Sequence, residues 1–291
     1  MPSDLSCRVT QVIPDLDQSG QKEAWYKLEV AKRRLMYSLL SLGLPVSNRV
    51  DDPERGLAFE FKADPQEKDA PPVLTGHANG VITINVAEAD DAERERRRLA
   101  MHEPYRTLLG HMRHEIGHYY WDRLIPGSER LEAFRELFGD EQADYGEALQ
   151  RHYEQGPPAD WQARLISTYA SAHPWEDWAE TWAHYLHMTD TLEMAAASGL
   201  TLKPRSKNAP TLKADPNLIE RGSFDQMLDA WYPLTYVLNS LNRGLGLPDG
   251  YPFVLSPPAV EKLRFVHTTV AAASNRTRPP SAFSWLPKFS W

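Results

Sequence analysis

Two histidines stand four residues apart with a glutamate behind the first: His114-Glu115-Ile116-Gly117-His118. Residues at that spacing share one face of an α-helix, one turn above the other. A chain that uses both imidazoles together must therefore be helical here. So placed, they can grip one tetrahedral ion at about 2.0–2.1 Å. Glu115 can then reach a water on that ion without ligating it. Gly117 leaves room for a second backbone to pass close by. His111, three residues before His114, is expected as a partner behind the ligands or a polar neighbour, because three ligands on one straight helix give awkward tetrahedral geometry.

A reactive metal centre needs a third protein ligand and an open fourth position. A histidine at 124 would complete the metzincin pattern, but Leu124 stands there. The candidate source is the helix expected over Trp175–Thr189. On its wheel Trp175, Trp178, Ala179, Trp182 and Leu186 form an apolar stripe, and Glu176, Glu180, His184 and His187 line one border. The wheel alone does not choose among those four.

The rest of the chain is consistent with one or two folded units. It has 291 residues, 42 % hydrophobic and 10 % aromatic, enough for a core and incompatible with a wholly disordered chain. Lys plus Arg is 32 and Asp plus Glu is 40, a net charge of −8, which argues against nucleic acid as the main partner. Cys7 is the single cysteine, so neither a disulfide framework nor a zinc ribbon can form within the chain. The first 17 residues lack the charged and apolar regions of a secretory signal. The most apolar window, Leu35–Val46, is about half the length of a bilayer span. The expectation is a cytoplasmic protein without membrane or nucleic-acid partners.

Four segments are expected: a flexible lead-in over 1–22, an N-terminal α/β part over 23–125, a helical part over 126–273, and a Pro- and Ser-rich tail over 274–291. Residues 23–42 carry helical apolar spacing, stopped by Gly43 and Pro45. Leu57, Phe59 and Phe61 alternate with Ala58 and Glu60 as in a strand. Asn79-Gly80 marks a hairpin into Val81–Val86. Two or three antiparallel strands are expected, with Val81–Val86 as an edge able to pair with an extended peptide. Charged residues 91–100 predict a solvated helix. Further helices are expected over 104–123, 129–155, 161–171, 175–189, 223–243 and 257–273, with a linker over 203–216. The acidic residues Asp140, Glu141 and Asp144 are expected to decorate a helix. The fold class is then α+β and zincin-like: a small twisted sheet, the helix of the two histidines, and a mostly helical C-terminal part.

Several segments together resemble a bacterial zinc-binding metallopeptidase family of gluzincin-like type. They are HEIGHYYWD at 114–122, HPWEDWAETWAHYLH at 173–187, KRRLMYSLLSLGLP at 32–45, GVITINVAEADDAERERRR at 80–98, FGDEQADYGEALQRHYEQGPPADWQ at 138–162 and LNSLNRGLGLPDGYPFVLSPPAVEKLRFVH at 238–267. The resemblance spans residues 7 to 270. It implies one zinc ion per chain, held by His114, His118 and a distal glutamate. Ala179-Glu180-Thr181-Trp182-Ala183 has the gluzincin look, which selects Glu180. It implies Glu115 as general base acting on a peptide or protein substrate, and Tyr169 as oxyanion donor, with His173 and His184 as rivals. Family members often carry a Cys-rich zinc ribbon ahead of the catalytic part; here only Cys7 stands in a segment like that ribbon's last turn. Two other functions compete with a peptidase. One is a non-catalytic zinc-binding interaction protein whose site is closed by His111 or His184. The other is a zinc hydrolase of a non-peptide amide.

Overall fold

The computed structural model describes residues 8–65, 70–90, 94 and 107–274. Apart from Arg94, the helix expected over 91–100 lies outside the described residues, as does nearly all of the tail.

Three of the four strands of the main sheet follow from local sequence. Strand β2 (Ala58–Lys62) buries Phe59 and Phe61. Strands β3 (Gly76–Ala78) and β4 (Val81–Asn85) form the expected hairpin, with Asn79 and Gly80 both at positive φ, 49° and 84°. A two-residue loop of this handedness matches the right-handed twist of the strands it joins. Strand β1 (Thr10–Val12) falls within the stretch expected as a lead-in; Val9 beside it is fully buried.

The sheet order is β1-β2-β4-β3. The pairs β1/β2 and β2/β4 are parallel and only β3/β4 is antiparallel. The sheet is thus mixed, which corrects the antiparallel expectation. Strand β3 runs opposite to β2 and the hairpin turns the chain back, so β4 runs in the direction of β2. The same order places β4 between two neighbours. Val81–Val86 therefore has no free edge, and the strand at the rim is β3.

Helix α1 (Gln21–Ser41) packs its apolar face, Leu28, Leu35, Met36 and Leu39, into the core. Its fully buried Lys32 is 2.5 Å from Glu29 and also bonds Thr10, which ties β1 to the helix. Helix α2 (Leu108–Leu124) begins at Thr107, whose hydroxyl accepts from the Gly110 N–H. The helix expected over 129–155 is two helices, α3 (Leu131–Phe138) and α4 (Tyr145–Gln155). Gly139, at φ 105°, ends the first, and Asp144 caps the second. Residues 161–171 hold two short 3₁₀ turns, Trp161–Ala163 and Tyr169–Ser171, in place of a helix.

Helix α5 (Pro174–Ala197) is the central one, with Trp178, Ala179, Trp182 and Leu186 fully buried. The short hairpin β5 (Thr201–Leu202) and β6 (Leu212–Lys213) occupies part of the expected linker. Helices α6 (Leu218–Arg221), α7 (Phe224–Gly244) and α8 (Pro257–Ala273) follow among the described residues. Lys262 on α8 reaches Asp177 on α5 at 2.5 Å, a buried pair. The architecture is α+β. Among the described residues no helix is long and apolar enough to cross a membrane.

Helices α2 and α5 set the site. A Cβ on Gly117 would lie 3.0 Å from the Ala179 Cα and 3.1 Å from the Trp182 Cβ, so glycine lets the two helices cross a few tenths of an ångström closer than a larger residue would. The Trp178 indole N–H donates to the Gly117 carbonyl at 2.8 Å, and the Trp182 ring stacks on Tyr120.

Candidate metal centre

The crossing brings three donor atoms to one point. His114 Nε2 lies 3.1 Å from His118 Nε2, and Glu176 Oε2 lies 2.9 Å from the first and 3.5 Å from the second. All three residues are buried. Donors on a tetrahedral ion with bonds of about 2.0–2.1 Å are separated by roughly 3.3 Å. The observed triangle matches that size. Two imidazole nitrogens facing each other this closely also need a proton or a cation between them. These residues fit a small divalent ion.

Glu180 stands elsewhere on the same ring. Its Oε1 is 2.7 Å from His114 Nδ1, and the Ser167 hydroxyl donates to its Oε2 at 2.6 Å. A carboxylate at Nδ1 holds the proton there and turns the Nε2 lone pair toward the cluster. The carboxylate that joins the two histidines is thus Glu176, one turn earlier on α5. The expectation and the geometry part at this residue. Both glutamates lie on the border of the same stripe, and the choice is made by how α5 crosses α2, which a helical wheel does not contain.

Further side chains hold this arrangement. The Tyr145 hydroxyl donates to Glu176 Oε1 at 2.7 Å. His118 packs against Trp175 with ring centroids 3.8 Å apart. Glu115 is buried, with Oε1 3.2 Å from His111 Nε2. Burial works against its ionisation. The bond from His111 and the charges of His114, His111 and His118 outweigh that and keep its pKa below the ordinary value. His111 responds in the opposite sense: burial lowers it, but Glu115 and Glu88 push it up to about 9.

Tyr169 lines the same cleft, with its ring centroid 5.8 Å from that of His114. Burial first, then the charge of Glu176, raises its pKa well above the ordinary value, so it stays a hydrogen-bond donor at neutral pH. Its two rivals have other partners. His173 caps α5, accepting from the Trp175 N–H and bonding the Ala143 carbonyl. His184 bonds the Tyr251 hydroxyl at 2.9 Å, although its ring still borders the cleft. Asp140, Glu141 and Asp144 serve local turns and Arg135.

The cleft has a volume of about 510 Å³. One wall is residues 73–77 of the sheet rim and the other is α4, with Tyr145, Leu149 and Tyr153 facing in. Tyr145, Ser167 and His77 were not picked out by sequence; none sits in a spacing that marks it. Glu176 stood among the four open candidates.

Residues 21–269 match the family described as "Putative zinc-binding metallo-peptidase". Uncharacterised proteins of Mycobacterium bovis and Mycobacterium tuberculosis are 48 % identical over 267 residues, covering 91 % of this chain and 75 % of theirs. No solved structure matches. The family match takes in α2, α5 and every residue of the three-donor cluster, and the chain belongs to this zinc-binding metallopeptidase family.

Proposed function

We propose that the chain is a zinc-dependent peptidase of zincin type, with one ion per chain on His114, His118 and Glu176. The observation that carries this reading is the pairing of a three-donor cluster with a buried carboxylate beside it. Among the described residues no fourth His, Cys, Asp or Glu joins the cluster. That supports an open position rather than a closed structural site. The His-His-Glu set favours zinc over harder cations.

An ion held there supplies a Lewis acid that acidifies a water and polarises a carbonyl. The protein's own groups do the rest. Glu115 is ionised, and its Oε2 has no hydrogen-bond partner among the described residues. It takes a proton from the attacking water and returns it to the leaving amine. Tyr169 donates to the oxyanion. Glu180 and Tyr145 keep His114 and Glu176 in position. The substrate reading rests on the rim strand: β3 pairs on one side with β4, and residues 73–77 border the cleft, where an extended peptide can add as a further strand.

The test is metal content by elemental analysis beside cleavage of a quenched fluorescent peptide library. Wild type should carry about one zinc and cleave. Glu115→Gln should keep the zinc and lose roughly 10²–10⁴-fold in rate. A variant as active as wild type would sink the base assignment. Zinc without cleavage of any peptide would favour the non-catalytic or non-peptide readings.

A further inference from the structure

We infer that His111 is the positioning residue for the base: it holds one oxygen of Glu115 and leaves the other without a partner. The chemical meaning of this role rests on the peptidase reading above; the geometry does not.

His111 lies one helical turn before Glu115 on α2. Its Nε2 is 3.2 Å from Glu115 Oε1, and its Nδ1 is 3.6 Å from Glu88 Oε2. Glu88 is 1 % exposed and sits on the short 3₁₀ turn Val86–Ala89 that follows β4. One imidazole thus meets the carboxylate beside the metal cluster on one side and lies within ion-pair distance of a carboxylate at the end of the central sheet on the other. The two ring nitrogens point at two carboxylates, and the ring stands 6.4 Å from that of His114, centroid to centroid. His111 is therefore turned away from the three-donor point and does not close the site.

The need for such a clamp follows from the side chain itself. A glutamate's last torsion is broad and roughly two-fold, so an unheld carboxylate samples many orientations. A general base must keep a lone pair within hydrogen-bond reach of one water. Packing alone does not orient it, because both oxygens have the same size. A donor on Oε1 breaks that symmetry. The oxygen it leaves, Oε2, is the one that is buried without a partner among the described residues, in a residue that lines the cleft.

The experiment compares wild type with His111→Phe, His111→Gln and Glu115→Gln, each as the full chain. Three quantities are read: zinc per chain, kcat and KM on the fluorogenic peptide that wild type cleaves fastest, and the ¹⁵N imidazole signals of histidine-labelled metal-free protein. His111→Phe should keep its zinc and its KM and lose about tenfold or more in kcat, the pattern of an interaction that serves the transition state. His111→Gln, which restores an N–H near the same oxygen, should recover a good part of that loss. The His111 ¹⁵N signal should move in Glu115→Gln. A His111→Phe enzyme with full zinc and undiminished kcat overturns the inference. So does joint loss of zinc and activity in both His111 variants, which would make the residue a support of the metal cluster. If wild type binds zinc and cleaves no peptide, the peptidase reading fails. The ¹⁵N comparison then decides by itself whether His111 holds Glu115.

Discussion

Glu176 and Glu180, one turn apart on α5, take opposite nitrogens of a single imidazole: Glu176 Oε2 is 2.9 Å from His114 Nε2 and Glu180 Oε1 is 2.7 Å from Nδ1. The two carboxylates therefore have different work. The first shares the donor triangle with His118, and the second meets the ring from its far nitrogen.

Substituting them should separate those roles. Glu180→Gln should weaken zinc binding by roughly 10–100-fold, as loss of a partner behind a ligand does. Glu176→Gln should weaken it further, because a donor is lost outright. Chelator competition measures both. Equal affinities for the two variants would contradict the assignment.

The Tyr145 hydroxyl holds the other oxygen of Glu176 at 2.7 Å, from a helix with no buried residue. Tyr145→Phe should cost roughly tenfold or more in zinc affinity while leaving the melting temperature of the metal-free protein unchanged. A fall in metal-free stability with unaltered affinity would mean the hydroxyl serves packing.

Gly117→Ala is expected to destabilise by about 1–3 kcal/mol, since the new methyl would press on the Ala179 backbone and the Trp182 Cβ and force the helices apart. The crossing that would have to open carries Glu176 and Glu180 on one side and His114 and His118 on the other, so zinc affinity should fall with stability. Thermal denaturation with and without zinc checks both, and an unchanged affinity would show that the helices slip without disturbing the donors.

Acid should weaken the metal-free fold through His77. Burial, then the charge of His118, lowers its pKa to about 4 from the ordinary 6.5, with Glu115 opposing. Its Nε2 accepts the Gly80 N–H at 3.0 Å, a bond that protonation there removes. Between pH 6.5 and pH 4 the unfolded chain holds more protons than the folded one. This contribution is thus complete above 6.5 and is lost as pH falls toward 4, with a slope of at most about 1.4 kcal/mol per pH unit. His77→Gln should lower stability at pH 7 and flatten the slope in that window. Urea denaturation at a series of pH values reads it, and an unaltered slope would remove His77 from the account.

What could be read from the chain alone was what neighbours in sequence decide. The His114–His118 helix, the Asn79-Gly80 hairpin and helix α8 with its Ser256 cap each depend on residues a few positions apart. The parallel pairing of β2 with β4 does not. Nor does the break between α3 and α4, where Gly139 and the Asp144 cap override a continuous helical pattern. The choice between Glu176 and Glu180 belongs with these. It turns on the angle between two helices separated by some sixty residues, and the crossing itself is licensed by one missing methyl at Gly117.

Helix α4 lends Tyr145, Leu149 and Tyr153 to the cleft wall yet invests no side chain in the core. Leu149 faces the cleft, while Tyr153 also meets Tyr169 and His152 meets the Ser171 hydroxyl. Selectivity and folding are therefore least coupled at Leu149: that side chain lines the cleft from a helix that buries none of its residues, so it can be exchanged for a larger, smaller or charged group with little penalty to the fold. If the chain is the peptidase proposed above, altering what the cleft admits begins at Leu149, with Tyr145 kept to hold Glu176 and Tyr153 kept beside Tyr169.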